Sequence, residues 1–277
     1  MVLMGGTRWL LIAILLITMV LSDNTAVPLD GTSLVIAHRG ASSLAPENTM
    51  AAICAAIELG VDIVEVDVHR SADGELVVVH DSTVDRTTDG EGRVSRLTLE
   101  ELKALDAGSW FKSSFREERI PTLREVLEAV GDRAIVLIEL KAKRIELQTI
   151  ELVQELGMSH QVMIQSFDSH QIQIVNQNAP DIPTFLLVYK PRHSSQPERA
   201  ARWMISVAQY VGASGIGIRG KWFTPELLAL ADEEDLQIFV WTVNSQSRLR
   251  KFIEAGVHGI ITNRPQDLLA LQNRKPS

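Results

Sequence analysis

Cysteine is all but absent from this chain. Cys54 is the only one, so no internal disulfide holds the fold, and its place in the apolar stretch "MAAICAAIELG" reads as a small buried hydrophobe. Linkers are missing as well: from residue 33 onward no Pro/Ser spacer, low-complexity block or charge run interrupts the chain. Nor is there a basic stripe. The 27 Lys and Arg are outnumbered by 35 Asp and Glu and lie scattered, which argues against nucleic acid as a partner. A small anionic substrate stays compatible with that balance if a few cations, or a metal, create a local positive site.

Long apolar runs are equally scarce, with one exception. Residues 9–21, behind the single positive charge of Arg8, form an apolar run shorter than the about 20 residues that a membrane span needs, and they match the hydrophobic region of a signal peptide. The expectation is a signal peptide over residues 1–22, cut after Ser22, and an exported protein, periplasmic or extracellular. An uncleaved signal anchor is the alternative, and it would be the only membrane contact.

What is present, from residue 33 on, is an alternation of short apolar runs with helical patterns. Nine strand candidates occur: 34–38, 61–68, 76–80, 134–141, 162–167, 184–189, 215–218, 238–243 and 259–263. Only "HRSADGE" separates the second from the third, and Asp73-Gly74 is a hairpin signal. A parallel neighbour would need a crossover of a dozen residues or more, so 76–80 is expected to fold back antiparallel as a ribbon. The other eight are spaced by stretches with helical periodicity, including 48–59, 123–130, 145–156, 225–232 and 247–255. Eight strand-helix units predict an α/β fold of the TIM (β/α)8 barrel type, one domain over residues 33–275. A small insertion over 81–120, with one short helix at 98–105, is expected over the barrel mouth.

Polar residues gather at the C-terminal ends of those strands, where barrels build their active sites. His38 ends the first, Glu65 and Asp67 the second, Glu139 and Lys141 the third. Gln165 lies near the end of the fourth, and Trp241 and Asn244 at the end of the seventh; the ribbon returns His80 to the same rim. In "EVDVHRSADGELVVVHD", Val64, Val66 and Val68 face one side and Glu65, Asp67 and His69 the other. Carboxylates on such a strand are costly to bury without a counter-charge.

The ordered set "AHRGASSLAPENT", "EVDVHRSADGELVVVHD", "IELK", "QSFD" and "WTVN" resembles the glycerophosphodiester phosphodiesterase family over about residues 34–266. That resemblance implies a metal-dependent TIM barrel that hydrolyses a phosphodiester to an alcohol and sn-glycerol 3-phosphate. It implies Glu65, Asp67 and Glu139 as ligands of one divalent cation, and His38 and His80 as acid and base. The residue chemistry agrees: three carboxylates are hard oxygen donors suited to Mg²⁺ or Ca²⁺, and two histidines supply the base and acid that the reaction needs. Arg39 and Lys141 would add positive charge at the phosphate, Glu47 is read as near the metal or the glycerol, and Phe167 and Trp241 as an aromatic wall.

Plainer readings apply to other residues. His69 is expected as a solvent-facing ribbon residue, and Arg248, Arg250 and Lys251 as a solvated helix face. Asn263 stands where the family's last motif commonly has Asp, which removes a charge from a supporting contact. Two other functions share the motifs: a lysophospholipase D, marked by an apolar groove beside Trp241 and Phe167, and a catalytically silent envelope binding protein. The residues leave the first nucleophile open between water and the neighbouring glycerol hydroxyl.

Overall fold

The computed structural model describes residues 32–274. The signal segment expected at 1–22 lies outside the described residues. Nine strands form one sheet: β1 Leu34–His38, β2 Ile63–Arg70, β3 Leu76–Val78, β4 Ile135–Leu140, β5 Val162–Ser166, β6 Thr184–Val188, β7 Gly215–Arg219, β8 Gln237–Trp241 and β9 Gly259–Thr262. Eight of them pair parallel and in sequence, and β1 pairs with both β2 and β9, which closes the barrel. β3 is outside that circle. It pairs antiparallel with the far end of β2, Val68 opposite Val78 and Arg70 opposite Leu76, as the Asp73-Gly74 turn predicts.

Strand parity sorts the side chains into layers. Leu34, Ile36, Ile63, Leu137, Met163, Phe185, Phe239 and Ile261 fill the barrel interior, and the rings of Phe185 and Phe239 stack at 4.1 Å. One step of two residues further along five of these strands, the same inward direction carries polar or aromatic groups instead: His38, Glu65, Glu139, Gln165 and Trp241. The opposite parity, with Val64, Val66 and Val68, packs under the helices in the larger core. The parallel sheet thus separates a dry plug from a polar mouth.

The helices are α1 Met50–Glu58, α2 Leu99–Ala104, α3 Leu123–Val130, α4 Glu146–Glu155, α5 Ser169–Asn178, α6 Pro197–Val211, α7 Pro225–Glu233, α8 Gln246–Glu254 and α9 Pro265–Leu271. Several starts are set by local chemistry. Thr98 with Glu101 and Thr122 with Glu125 make capping boxes for α2 and α3, each satisfying two otherwise free backbone donors. No helix among the described residues is long and apolar enough to cross a membrane.

Two readings of single residues change. Cys54 is exposed, because α1 buries Ala52, Ile53, Ala56 and Ile57 and position 54 falls on the opposite arc. His69 is 9% exposed rather than solvent-facing; β2 runs on to Arg70, and the ring Nε2 lies 3.1 Å from the His80 carbonyl oxygen. The insertion has a core of its own in Val77, Val79, Val84, Val94, Leu102, Ala107 and Ile120. It packs on β3, and among the described residues the mouth cavity takes His80 from the ribbon and none of residues 81–120.

Candidate active site

The site begins where β1 ends. His38 Nδ1 lies 2.6 Å from Asn263 Oδ1, and the chain then turns through two left-handed residues, Arg39 (φ 59°) and Gly40 (φ 77°). That conformation costs a non-glycine residue about 1–2 kcal/mol. It is offset here because it aims the Arg39 backbone N–H at Glu65 Oε2, 2.8 Å away. The guanidinium then falls between Glu47, at 2.7 Å, and Asp67, at 3.2 Å.

Asp67 of β2 and Glu139 of β4 are register partners, so their side chains point the same way on adjacent strands. With Glu65 they present carboxylate oxygens that all lie within 4.8 Å of one another, and all three residues are buried. Among the described residues the cations at hand are two: Arg39, and Lys141, whose Nζ is 2.8 Å from Glu139 and 3.7 Å from Asp67. Three acids against two bases leave the cluster short of positive charge. Burial, then the charges of Asp67 and Glu139, push the Glu65 carboxyl well above its ordinary range. Glu139 is pushed up to about 7 by burial and by Asp67. Burial works against the charge of Asp67 as well, yet Arg39 and Lys141 hold it below the usual carboxylate range.

Asp67 Oδ1 and Gln165 Oε1 are buried with no hydrogen-bond partner among the described residues, although Gln165 Nε2 donates to Glu65 at 3.2 Å. Buried acceptors are normally satisfied. Converging carboxylates, an orphaned oxygen and a deficit of positive charge together fit a hard divalent cation with oxygen ligands.

Beside the acids opens a cavity of about 250 Å³, lined by His38, His80, Lys141, Phe167, Tyr189 and Trp241 among others. Burial, then Arg39, lowers the His38 pKa to about 4, so its ring is neutral at neutral pH. Its Nδ1 is taken by Asn263, which leaves Nε2 as the free ring nitrogen. His80 Nδ1 lies 2.6 Å from Asp81 Oδ1. Arg86 Nε in turn donates to Asp81 Oδ2 at 2.6 Å, and its two terminal nitrogens donate to Glu47 at 3.0 and 2.7 Å. Burial opposes ionisation of Asp81, but the Arg86 and His80 bonds bring its pKa down to about 2. The opposite wall is aromatic: Phe167 meets Trp241 edge-on at 5.6 Å, and Tyr189 tilts against Trp241 at 6.4 Å.

The structure therefore brings His38, His80, Arg39, Glu65, Glu139, Lys141, Phe167 and Trp241 to one cavity, with Asp67 buried directly beneath. Glu47 is not in the lining; its oxygens are occupied by Arg39 and Arg86. Asn48 likewise turns to Asp67, donating at 2.9 Å. Asn244 anchors the last rim loop by accepting from the Asn263 backbone N–H at 2.9 Å. Sequence reasoning passed over Asp81, Arg86 and Tyr189. Tyr189 obeys the same inward parity as Phe185 and Leu187, so that signal was available; Arg86 sits in the insertion, where no periodicity exists to find it.

A closed eightfold barrel with histidines, acids and a lysine at the C-terminal ends of its strands is the frame of a TIM-barrel enzyme. The sequence profile of the glycerophosphoryl diester phosphodiesterase family matches residues 38–267. A glycerophosphodiester phosphodiesterase of Caldanaerobacter subterraneus is 40% identical over 247 residues, covering 86% of this chain and 97% of its own. Among solved structures, a glycerophosphodiester phosphodiesterase from Agrobacterium tumefaciens superposes with a TM-score of 0.75 at 32% identity, over 86% of this chain and 99% of the other. An Oleispira antarctica phosphodiesterase, solved with the product sn-glycerol-3-phosphate, gives 0.77 at 29% identity over 87% and 97%. This chain belongs to the glycerophosphoryl diester phosphodiesterase family, and it is a phosphoric diester hydrolase.

Proposed function

We propose that this protein hydrolyses glycerophosphodiesters to an alcohol and sn-glycerol 3-phosphate, with His38 and His80 as the acid–base pair and Glu65, Asp67 and Glu139 holding one divalent cation, Mg²⁺ or Ca²⁺. The observation that carries the reading is the buried carboxylate triad, two members of which, Glu65 and Glu139, line the same cavity as both histidines. The bound cation would supply Lewis acidity at a phosphoryl oxygen and the missing positive charge. His38, held through Nδ1 by Asn263, offers Nε2 for proton transfer; His80, held through Nδ1 by Asp81, offers the same atom. Lys141 and Arg39 bring fixed positive charge to the cavity wall. Glu47 acts through Arg39, which it orients, and Phe167 and Trp241 bound the space for the organic part of the substrate. The segment at residues 9–21 directs export, and the mature chain begins near Asp23, which N-terminal sequencing of protein from the native host checks.

Purified protein assayed on glycerophosphocholine and glycerophosphoethanolamine should release glycerol 3-phosphate, lose activity in EDTA and regain it with Mg²⁺ or Ca²⁺. His38→Ala and His80→Ala should each lower kcat about 10²- to 10⁴-fold with the metal affinity little changed. A p-nitrophenol leaving group should rescue the variant that lacks the acid, since that alkoxide departs without a proton. Loss of metal in both histidine variants, without rescue in either, would show that the histidines are ligands. The lysophospholipase D reading has one feature in its favour, the exposed Phe167 and Tyr189, and faster cleavage of lysophosphatidylcholine would establish it.

A further inference from the structure

A second cavity, of about 280 Å³, adjoins the first. The two share Tyr189, Trp241 and Thr242, and the second adds Arg219, Lys221 and Arg248. No carboxylate lines it, and none of these three cations forms an ion pair within the described residues. In a chain with a formal charge of −8, three unpaired cations around one hollow at the edge of the active site are a marked local inversion of sign.

Each cation is seated by an aromatic ring instead of an acid. The Arg219 guanidinium lies 4.5 Å over Tyr189, the Lys221 ammonium 4.8 Å over Trp222, and the Arg248 guanidinium 5.8 Å from the centre of Phe252. A ring fixes a cation while leaving its charge and its N–H edge uncompensated. Gly220 completes the seat, since a Cβ there would stand 2.7 Å from a terminal nitrogen of Arg248 and 2.8 Å from the Phe252 ring. Arg248 stays exposed, as expected of that α8 face, and from there it also lines the hollow. Charge held in place without a partner lowers the cost of binding an anion, and guanidinium forks match phosphate oxygens.

We infer that this cavity is a subsite for a second phosphate on the alcohol portion of the substrate, so that the preferred substrates are glycerophosphodiesters whose leaving alcohol itself carries a phosphate or a further phosphodiester. The inference rests on the glycerophosphodiesterase reading of the adjoining site. It also bears on the acyl-chain alternative: the apolar wall of Phe167 and Tyr189 runs into cations, which suit a polar anionic headgroup and not a hydrocarbon tail.

The test compares three substrates that differ in the alcohol: sn-glycero-3-phosphocholine, sn-glycero-3-phosphoglycerol, and 1,3-bis(sn-glycero-3-phospho)glycerol, which carries the second phosphodiester. At low salt kcat/KM should be at least about tenfold higher for the last than for sn-glycero-3-phosphoglycerol, whose leaving alcohol is uncharged, with most of the difference in KM, and the gap should narrow as salt rises. In the Arg219→Gln/Arg248→Gln protein that ratio should fall toward one. A ratio at or below one in the unaltered protein, or a ratio that survives both substitutions, overturns the assignment. So does lysophosphatidylcholine as the best substrate. Absence of cleavage of all three would instead overturn the glycerophosphodiesterase reading. Calorimetry then decides the subsite by itself: the His38→Ala chain should bind the bis-phosphodiester more tightly than sn-glycero-3-phosphoglycerol, and equal affinities reject the subsite.

Discussion

Asn263 reaches His38 across 225 positions of sequence to make a 2.6 Å contact, and being an amide it fixes the ring without charging it. Asn263→Asp places a carboxylate against the same nitrogen, which favours the imidazolium and raises the His38 pKa from its low value. The limb of the pH–rate profile governed by His38 should therefore move to higher pH, by roughly one unit, whether the ring serves as acid or base; an unmoved profile would mean that this contact is not what tunes His38. Arg86 is a second supporting residue, since it bridges Asp81 and Glu47. Arg86→Gln should cost about 10- to 100-fold in kcat with KM less affected, and unchanged kcat would show that His80 needs no such brace. The residues that face the cavity were largely legible because parity is rigid: a side chain two places beyond a buried interior residue must point into the mouth. The supporting contacts were not. Asn263 stood out only as a departure from the family motif, with nothing to name His38 as its partner, and no local pattern announces that Arg86 reaches back to Glu47. The cationic hollow stayed hidden for a related reason, since Arg219 ends β7, Lys221 lies in the loop after it and Arg248 is on α8, and they count as scattered charge in one dimension.

At the scale of elements, the tightest constraint lies between the β1 loop and α1. A Cβ on Gly40 would come within 2.6 to 2.8 Å of the Ala52 backbone and side chain, on a residue that is also left-handed. Gly40→Ala should therefore destabilise the fold by about 2–4 kcal/mol, read as a lower Tm, and it should lower activity because Arg39 and Glu65 share that turn; wild-type stability would mean that α1 moves freely. Strand boundaries were readable to within a residue or two, since Val- and Ile-rich runs between polar loops admit one interpretation. The insertion was read as irregular because its core is built from single apolar residues at uneven spacing, Val84, Val94, Leu102 and Ala107, which no helical or strand period would collect.

For the molecule as a whole, the carboxylate triad is a fault in the fold that a cation would repair. A ligand present at one hundred times its Kd adds about 2.7 kcal/mol, which for a domain of this size is about 5 to 10 °C in Tm. Mg²⁺ or Ca²⁺ should raise the melting temperature by that order over EDTA-treated protein, and Asp67→Asn should abolish the increment; equal Tm with and without the cation would remove the metal site. Barrel closure itself has a consequence for how the chain can be cut and rejoined. Leu34 N–H donates to the His258 carbonyl at 2.8 Å, the Gln272 side chain donates to the Ser33 carbonyl at 2.7 Å, and Arg274 clasps Asp62 at 2.6 and 2.8 Å. First and last strand thus meet at the base, the face opposite the cavity, where Gly157 also sits with open space around it. A circular permutant that joins residue 274 to residue 33 through a short glycine linker, with new ends opened at Gly157, should fold and keep its kcat, because neither the cut nor the splice touches the rim.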